Sequence, residues 1–274
     1  MTILITGATG FLGTHLFNYL KDCHTVYGIS EVSTNQNIIS ANLLNIDTCI
    51  NELSKINVTA IDTIIHLASI LASQNNLNDV SVLNQNNVLS QNVVLLAQKL
   101  NAKKIINFSS SSVYPNIDGE FNEASEINPA LNPDAIYGLS KFNSEIIINT
   151  LIKNTTTTVS HLRCVMVYGN GVNPTRIWPV MEKELNEKNT ITVFGHGKRL
   201  INQIEINTLK NVVNKFIVNN FPGIYNICEE TLSLENLAKR IIAHRGNSES
   251  KIVYVEKGNT FQFKICTNKF NIIK

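Results

Sequence analysis

Tyr137 and Lys141 are the residues of this sequence whose types and spacing best suit proton transfer. Asn132 and Pro133 are typical of the first residues of a helix, and a helix over residues 133–153 places both side chains on one face. A phenol is a poor acid or base at neutral pH, but an ammonium about 5 Å away favours the phenolate by roughly 3 kcal/mol at an effective dielectric of about 20. The pair therefore predicts proton transfer coupled to hydride transfer at an alcohol or ketone, unless it is an exposed pair without a catalytic role.

A glycine-rich turn near the N-terminus lies between a short apolar run and a segment with helical periodicity. Its glycines have the spacing GxxGxxG, one residue longer than the commoner GxGxxG form. Glycine permits a tight turn and a close backbone approach, and the unpaired amides at the start of a helix can hold a pyrophosphate. The turn therefore predicts dinucleotide binding. The residues predicted to contact the dinucleotide here are Gly7, Thr9, Gly10, Phe11, Leu12 and Gly13.

The end of the second predicted strand bears on the choice between NAD and NADP. An acidic residue at this place would bind a ribose hydroxyl pair and repel a 2′-phosphate. Ser30 occupies the place, and a serine can donate to either group, while Glu31 would favour NAD if its side chain points inward. No arginine or lysine nearby could clamp a phosphate, and both residues are equally compatible with an exposed strand end. The sequence therefore predicts NAD(P) as cofactor and leaves NAD versus NADP open.

Short β-branched runs alternate with longer helix-periodic segments over the first two thirds of the chain, which is typical of parallel strands joined by helical crossovers. We expect strands near residues 2–6, 24–29, 37–41, 61–67, 103–109 and 157–167, and helices near 11–21, 48–55, 77–100, 133–153, 208–219 and 233–245. This rhythm predicts an α/β fold with a doubly wound parallel sheet, a Rossmann domain, over residues 1–169. Residues 170–274 are predicted to form a small C-terminal mixed α/β substrate lobe, with some chain exchange between the two.

Composition narrows the class of protein. The 274 residues carry 23 Lys and Arg against 21 Asp and Glu, and the formal charge of +2 gives no field that would attract nucleic acid or an anionic membrane. The five cysteines include no CxxC pair, which predicts reduced thiols, a cytoplasmic location and no metal site. Because the sequence has neither a basic leader nor a long uncharged apolar stretch, we expect a soluble, unprocessed protein.

Five motifs follow one another in the order found in a known family. They are the glycine turn, His66-Leu67-Ala68-Ser69, the serine run before Val113-Tyr114, Tyr137-Gly138-Leu139-Ser140-Lys141, and Arg163 leading to Tyr168-Gly169. With these motifs the sequence resembles the extended short-chain dehydrogenase/reductase family, and more narrowly its NAD(P)-dependent nucleotide-sugar epimerase/dehydratase group. The resemblance implies a Rossmann domain, NAD(P) as cofactor and a nucleoside-diphosphate sugar as substrate.

The resemblance also implies roles for individual residues. Ser110 would hydrogen-bond the reacting sugar oxygen, with Ser109 as the alternative if the alignment slips by one residue. Tyr137 would exchange the proton, while Lys141 would hold the nicotinamide ribose and lower the pKa of the tyrosine. Asn42 takes the place of the aspartate that is usual beside adenine. The other residues implied to line the cofactor are Leu43, Leu67 and Ala68, and His66 is interpreted as structural.

The choice of reaction depends on the residues that follow Ser110. Dehydratases of the group carry an Asp-Glu pair there, so Ser111 and Ser112 disfavour dehydration, and the fucose-type epimerase/reductases carry a cysteine where Ser112 stands, which disfavours two-base epimerisation. Hydride chemistry at C4 remains, and the short chain favours a 4-ketoreductase of a 4-keto-6-deoxy sugar over a nucleotide-sugar 4-epimerase. A non-catalytic NAD(P)-binding regulatory protein is the alternative of another class, against which Tyr137 and Lys141 argue.

The predicted lobe departs from the family pattern where the substrate diphosphate should bind. Ile201 stands at the usual place of an arginine, so Arg199 and Arg176 are the candidates to replace it, unless both are ordinary surface cations. Ser111 is the remaining predicted substrate contact. The two longest predicted helices form the dimer face in many relatives, which implies a homodimer.

Overall fold

The computed structural model describes residues 1–274, with fourteen strands and eight α-helices. The strands are β1 (Thr2–Thr6), β2 (Thr25–Ser30), β3 (Ile38–Ser40), β4 (Thr63–His66), β5 (Lys104–Ser110), β6 (Gly119–Phe121), β7 (Thr158–Cys164), β8 (Met166–Tyr168), β9 (Thr190–Phe194), β10 (Leu200–Glu205), β11 (Gly223–Ile227), β12 (Glu230–Ser233), β13 (Lys251–Val255) and β14 (Phe263–Ile265). The helices are α1 (Phe11–Leu20), α2 (Ile46–Lys55), α3 (Val80–Lys99), α4 (Ala135–Ile152), α5 (Ile177–Lys188), α6 (Ile206–Val218), α7 (Leu234–Arg245) and α8 (Asn268–Ile273). None of these helices combines the length and the apolar composition needed to cross a bilayer.

Seven strands form one sheet in the order β11-β7-β5-β4-β1-β2-β3, and every neighbouring pair in it is parallel. The central strands are apolar on both faces. Leu4 belongs to the core on one face of the sheet and Ile65 to the core on the other, and both are fully buried. Helices α1 and α6 pack on one face, and α2, α3 and α4 pack on the other. The doubly wound Rossmann fold is therefore confirmed. The strand order reverses between β1 and β4, and in such sheets ligands bind at the carboxyl ends of the strands at this point.

A smaller lobe follows β7. It contains the three-stranded sheet β12-β10-β8 and the parallel pair β9-β13, with α5 and α7 packed against them around a core of ten buried residues. The helices expected from the sequence do not include α5, which contains Pro179. Pro179 lies in the first turn of α5, where a proline does not cost the helix a hydrogen bond.

The chain passes between sheet and lobe more than once. The strand predicted at 157–167 is two strands, because the Val165 amide donates to the Ile227 carbonyl (3.2 Å) and β8 then pairs with β10 in the lobe. Helix α6 and strand β11 return to the large sheet. Helix α8 also packs in the core on that face of the large sheet, so residues after 170 contribute to both parts of the molecule.

Helix α4 begins later than predicted. Asp134, rather than Asn132, stands at the position before the first helical residue, and its side chain does not cap the helix. Asn132 instead donates its side-chain amide to the Tyr114 carbonyl (3.0 Å), which fixes the loop that leads into the helix. Tyr137 therefore lies in the first turn of α4, at the edge of the sheet where the glycine turn also lies.

Candidate active site

The glycine turn lies between β1 and α1 and is held by backbone contacts. The amides of Gly7 and Ala8 both donate to the Ile29 carbonyl (2.9 and 3.2 Å), which anchors the turn to β2. Gly7 has a φ of 71°, and a Cβ at this position would lie 2.9 Å from the Ala68 amide nitrogen. A Cβ on Gly13 would collide with the Gly7 carbonyl oxygen. The turn therefore requires glycine at both positions, because side chains would fill the space between the turn, α1 and the end of β4.

The start of α1 is suited to a phosphate. Gly10 occupies the N-cap position with no side chain to cap the helix, so the first-turn amides of Phe11 and Leu12 have no partner within the helix. Unpaired amides and the positive end of the helix dipole together favour an anion. The turn and the helix start therefore fit the pyrophosphate of a dinucleotide.

The end of β2 lies beside the glycine turn, as predicted for a ribose site. The Ser30 and Thr9 hydroxyls are hydrogen-bonded to each other. The Glu31 carboxylate accepts from the side-chain amide of Asn42 (2.9 Å), and Asn42 accepts in turn from the Leu44 amide (2.8 Å). Glu31 is thus held toward Asn42, at the place where the sequence predicted ribose and adenine contacts, and Leu43 follows directly along the chain.

His66 supports the turn from the end of β4. Its Nδ1 is hydrogen-bonded to the Thr6 hydroxyl (2.9 Å), and the same hydroxyl accepts from the Ala68 amide (3.2 Å). Burial, and next the charge of Lys141, lower the pKa of His66 to about 3, so the ring is neutral. His66 therefore holds the backbone of Leu67 and Ala68 against the glycine turn.

Ser110, Tyr137 and Lys141 come together at the carboxyl end of β5. The Ser110 hydroxyl accepts from the Ser112 amide (3.1 Å). It also lies close enough to the Tyr137 phenol to oppose, in part, the rise of the phenol pKa. Lys141 is 6% exposed; its Nζ donates to the Phe108 carbonyl (3.0 Å) and lies 5.6 Å from the centre of the Tyr137 ring. The arrangement places a hydroxyl, a phenol and an ammonium around one point.

Gly138, which the sequence analysis quoted only as part of a motif, controls how closely α4 approaches the serine run. A Cβ on Gly138 would collide with the Ser112 carbonyl oxygen. The helix backbone therefore lies directly against the turn Ser111–Val113. In the sequence, a glycine inside a helical segment, here directly after Tyr137, indicates such a close packing contact.

The electrostatics of Tyr137 differ from the prediction. Burial, and next the negative charge of Asp134, raise the pKa of the phenol well above its ordinary value, and the positive charge of Arg176 only partly opposes them. Burial lowers the pKa of Lys141 to about 8. The expectation that Lys141 lowers the Tyr137 pKa is therefore wrong, because the ammonium lies over the ring and donates to a carbonyl, while desolvation disfavours the phenolate.

Ser109 and Ser110 point into different environments. The Ser109 hydroxyl donates to Glu145 (2.6 Å), and Glu145 forms an ion pair with Arg163 (2.8 Å) in which the side chains are 3% and 2% exposed. Arg163 also donates to the Tyr114 hydroxyl (2.8 Å). Ser110, and not Ser109, is therefore the serine beside Tyr137. Glu145 was missed, although a carboxylate four residues after Lys141 in an apolar helix segment marks it in the sequence.

The two predicted arginines differ in position. Arg176 stands at the N-cap of α5 with an exposed side chain, and its charge acts on Tyr137, so the structure brings it to the site. Arg199 is exposed as a residue, but burial of its guanidinium lowers the pKa of this group. It is not among the main charges that act on Tyr137. Ser111 is partly exposed in the turn after Ser110. The protein contains no group of three or more His, Cys, Asp or Glu side chains placed to hold a metal ion.

A sequence model of the NAD dependent epimerase/dehydratase family matches residues 3–228. The chain belongs to this family. The predicted resemblance is therefore confirmed over most of the sequence, including all five motifs.

Two relatives are identical to this chain at about a quarter of the aligned positions. A dTDP-D-glucose 4,6-dehydratase of Dictyostelium discoideum is 26% identical over 268 residues, which are 88% of this chain and 61% of the relative. The chain thus spans less than two thirds of that protein. An uncharacterised UDP-glucose epimerase, YtcB, of Bacillus subtilis is 27% identical over 73% of this chain and 67% of its own length.

Solved structures of the family share the fold along the whole chain. A UDP-N-acetylglucosamine 4-epimerase of Methanobrevibacter ruminantium matches with a TM-score of 0.83 at 17% identity, covering 100% of this chain and 91% of the other. A UDP-glucuronic acid 4-epimerase of Bacillus cereus, solved with UDP-glucuronic acid and NAD, matches with a TM-score of 0.81 at 22% identity, covering 100% and 92%. At these identities the likeness shows the fold alone.

Proposed function

We propose that this family member is an NAD(P)-dependent enzyme that transfers a hydride at C4 of a nucleoside-diphosphate sugar, and that the reaction is reduction of a 4-keto-6-deoxy sugar. The observation that carries the proposal is the convergence of Ser110, Tyr137 and Lys141 beside the glycine turn. A phenol, a hydroxyl and an ammonium next to a dinucleotide cradle are the groups that carbonyl reduction requires.

Each group has a defined task in this proposal. The first-turn amides of α1 hold the pyrophosphate, Lys141 holds the nicotinamide ribose, and the bound nicotinamide supplies the hydride. Ser110 donates a hydrogen bond to the carbonyl oxygen at C4. Tyr137 gives its proton to that oxygen as the carbonyl becomes an alcohol. The residues that would line the cofactor are Gly7, Thr9, Gly10, Phe11, Leu12, Gly13, Ser30, Asn42, Leu43, Leu67 and Ala68.

Burial keeps Tyr137 in its protonated form. Burial and the Asp134 charge raise the pKa of the phenol, so Tyr137 is protonated at neutral pH. A protonated phenol is ready to act as an acid toward a carbonyl, whereas oxidation of an alcohol needs the phenolate as a base. Tyr137 is therefore in the form that can donate a proton to the carbonyl oxygen at C4 in the proposed reaction.

A 4-epimerase is the second candidate. It is favoured by the similarity to proteins named as 4-epimerases. An epimerase would oxidise C4 and reduce it again from the other side, with no net change in cofactor. A regulatory protein that binds NAD(P) without catalysis would instead show cofactor binding and no product.

The proposal extends to the assembly and the location of the protein. The outer faces of α3 and α4 carry exposed apolar side chains, namely Val88, Leu95, Ile146 and Leu151, which supports a homodimer through these helices. The five cysteines are free thiols, which supports a reducing, cytoplasmic location. Light scattering on the purified protein measures the mass of the assembly.

Mass spectrometry of nucleotide-sugar products separates the reactions. The protein is incubated with uridine and thymidine diphosphate 4-keto-6-deoxyglucose and with the corresponding glucose compounds, each with NADH, NADPH or NAD⁺. We expect a gain of two hydrogens by the keto sugar with consumption of NADH or NADPH. Interconversion of sugars at constant mass supports the epimerase instead, and no product from any combination overturns the enzyme proposal.

A further inference from the structure

Asp134 is a carboxylate whose charge acts on Tyr137 and whose side chain does not cap the helix. It precedes the first residue of α4 and does not cap it, and no cation forms an ion pair with it. Its Oδ2 accepts from the Ser112 hydroxyl (2.9 Å), while Oδ1 has no hydrogen-bond partner within the chain. Asp134 is also partly exposed.

The hydrogen bond to Ser112 fixes Asp134 on the same side of the site as Ser110. The Ser112 amide donates to the Ser110 hydroxyl (3.1 Å), so the carboxylate and the predicted carbonyl-binding hydroxyl are joined through one residue. Asp134 directly precedes the first residue of α4, Tyr137 lies in the first turn, and the negative charge of Asp134 acts on the phenol. The carboxylate therefore lies next to the hydroxyl and the phenol that would bind the C4 oxygen.

We propose that Asp134 exchanges the proton on the ring carbon next to the C4 ketone of the bound sugar. The inference rests on the proposed function, because it requires a 4-keto sugar in the site. It adds an acid/base step to hydride transfer, and the group responsible comes from the start of α4 rather than from the residues that follow Ser110.

The step is balanced within the site. A C–H bond next to a ketone is acidic because its electron pair can move into the carbonyl. Asp134 Oδ1 takes the proton, the electron pair of the broken C–H bond forms a C–C double bond, and C4 becomes an enolate. The hydroxyls of Ser110 and Tyr137 donate hydrogen bonds to the enolate oxygen. Return of the proton from Asp134 to the same carbon restores the ketone, and return of a solvent deuteron instead labels it.

Positions 111 and 112 supply no such base. Both are serines, whose hydroxyls are weak bases at neutral pH. Ser112 donates its proton to Asp134 and so orients the carboxylate. A carboxylate held by one hydrogen bond and free of an ion pair keeps an oxygen available as a base.

Deuterium exchange tests the step without hydride transfer. The whole protein is incubated in D2O with NAD⁺ and thymidine or uridine diphosphate 4-keto-6-deoxyglucose, and deuterium at C3 and C5 is followed by NMR. Wild-type protein is compared with Asp134→Asn, which keeps the shape and the hydrogen bond from Ser112, with Ser112→Ala, and with Glu126→Gln as a control at an exposed carboxylate outside the site. NADH and NADPH oxidation is measured separately for each protein.

We expect exchange at C3 or C5 that is at least about 100-fold slower in Asp134→Asn and about tenfold slower in Ser112→Ala, with Glu126→Gln equal to wild type. The proposal is overturned if wild-type protein labels the sugar no faster than a protein-free sample, or if Asp134→Asn stays within about threefold of wild type. If the protein oxidises NADH or NADPH but does not label the sugar, the proposed role of Asp134 is wrong and the proposed reductase stands. If the sugar is labelled but neither NADH nor NADPH is oxidised, the proposed reductase is wrong and the role of Asp134 as the base stands.

Discussion

The two sides of the candidate site are held together by different interactions. On the cofactor side, backbone touches backbone at Gly7 and Gly13, and the ion pair of Glu145 and Arg163 behind β5 is almost completely buried. The lobe has a core of ten buried residues, against 28 and 21 in the clusters on the two faces of the large sheet, and its ion pair between Arg240 and Glu230 is 36% and 29% exposed. The large sheet therefore has the larger core and the fully buried ion pair, whereas the lobe has a smaller core and an ion pair that lies partly in water.

The largest effect is expected from Tyr137→Phe, because the phenol is the proposed proton donor. Catalytic rates should fall about 100- to 10,000-fold, while cofactor affinity changes less than about threefold. Initial rates with the keto sugar and NADH or NADPH, together with fluorescence titration of the cofactor, measure the two quantities. Tyr254→Phe, at an exposed lobe tyrosine, is the matched control. An unaffected rate in Tyr137→Phe would show that Tyr137 is not the proton donor.

The buried and the half-exposed ion pairs provide a direct test of the comparison. Glu145→Gln leaves the Arg163 charge buried without its partner and should lower the free energy of unfolding by about 3–5 kcal/mol. Glu230→Gln leaves Arg240 partly in water and should cost about 1 kcal/mol or less. Urea denaturation of both variants measures the difference. Equal losses would show that the two regions do not differ in this respect.

The buried Lys141 in α4 makes the stability of the protein depend on pH. Its pKa is about 8 in the folded protein against 10.5 as the ordinary value, so between these values the unfolded chain binds more protons and the free energy of unfolding rises with pH. The buried charge destabilises the protein fully below about pH 8, by on the order of 3 kcal/mol. Lys141→Met should therefore be more stable than wild type near neutral pH, with the gap narrowing by about 2 kcal/mol toward about pH 9.5. A gap that is constant with pH in denaturation experiments contradicts this expectation.

The smallest effect is expected from substitution of the two arginines that are candidates to bind the substrate diphosphate. Arg176→Ala should raise the substrate KM about tenfold, because it removes a cation beside Tyr137, whereas Arg199→Ala should change it about twofold or less. Both side chains are exposed, so neither change should unfold the protein. Steady-state kinetics with the keto sugar measure both, and the opposite order would assign the substrate clamp to Arg199.

The fold of the cofactor side could be predicted because its requirements are local. Gly7, Gly10 and Gly13 mark a turn in which backbone packs on backbone, and β-branched runs mark strands that are buried on both faces. The break at Val165 could not be predicted, since it depends on a hydrogen bond to Ile227, 62 positions away. Such a partner leaves no pattern near the strand that it interrupts.

The candidate site was predicted in part for the same reason. Ser110, Tyr137 and Lys141 lie in short motifs, and the structure brings them together. Asp134 lies only three residues before Tyr137, but its significance depends on Ser112, 22 positions earlier, which orients it. The Tyr137 pKa was mispredicted because desolvation depends on the whole surrounding fold, whereas the lysine four residues away was visible in the sequence.

The two points where the chain enters the lobe lie side by side on the large sheet. Cys164 at the end of β7 is the register partner of Ile227 at the end of β11, and the Val165 amide joins the two crossings. The chain returns from the lobe to the large sheet at α6 and again at α8, whose Phe270 and Ile273 belong to the core on one face of that sheet. An exchange of the lobe for that of another family member would therefore need junctions at both strand ends, and it would have to keep α6 and α8 in place on the sheet.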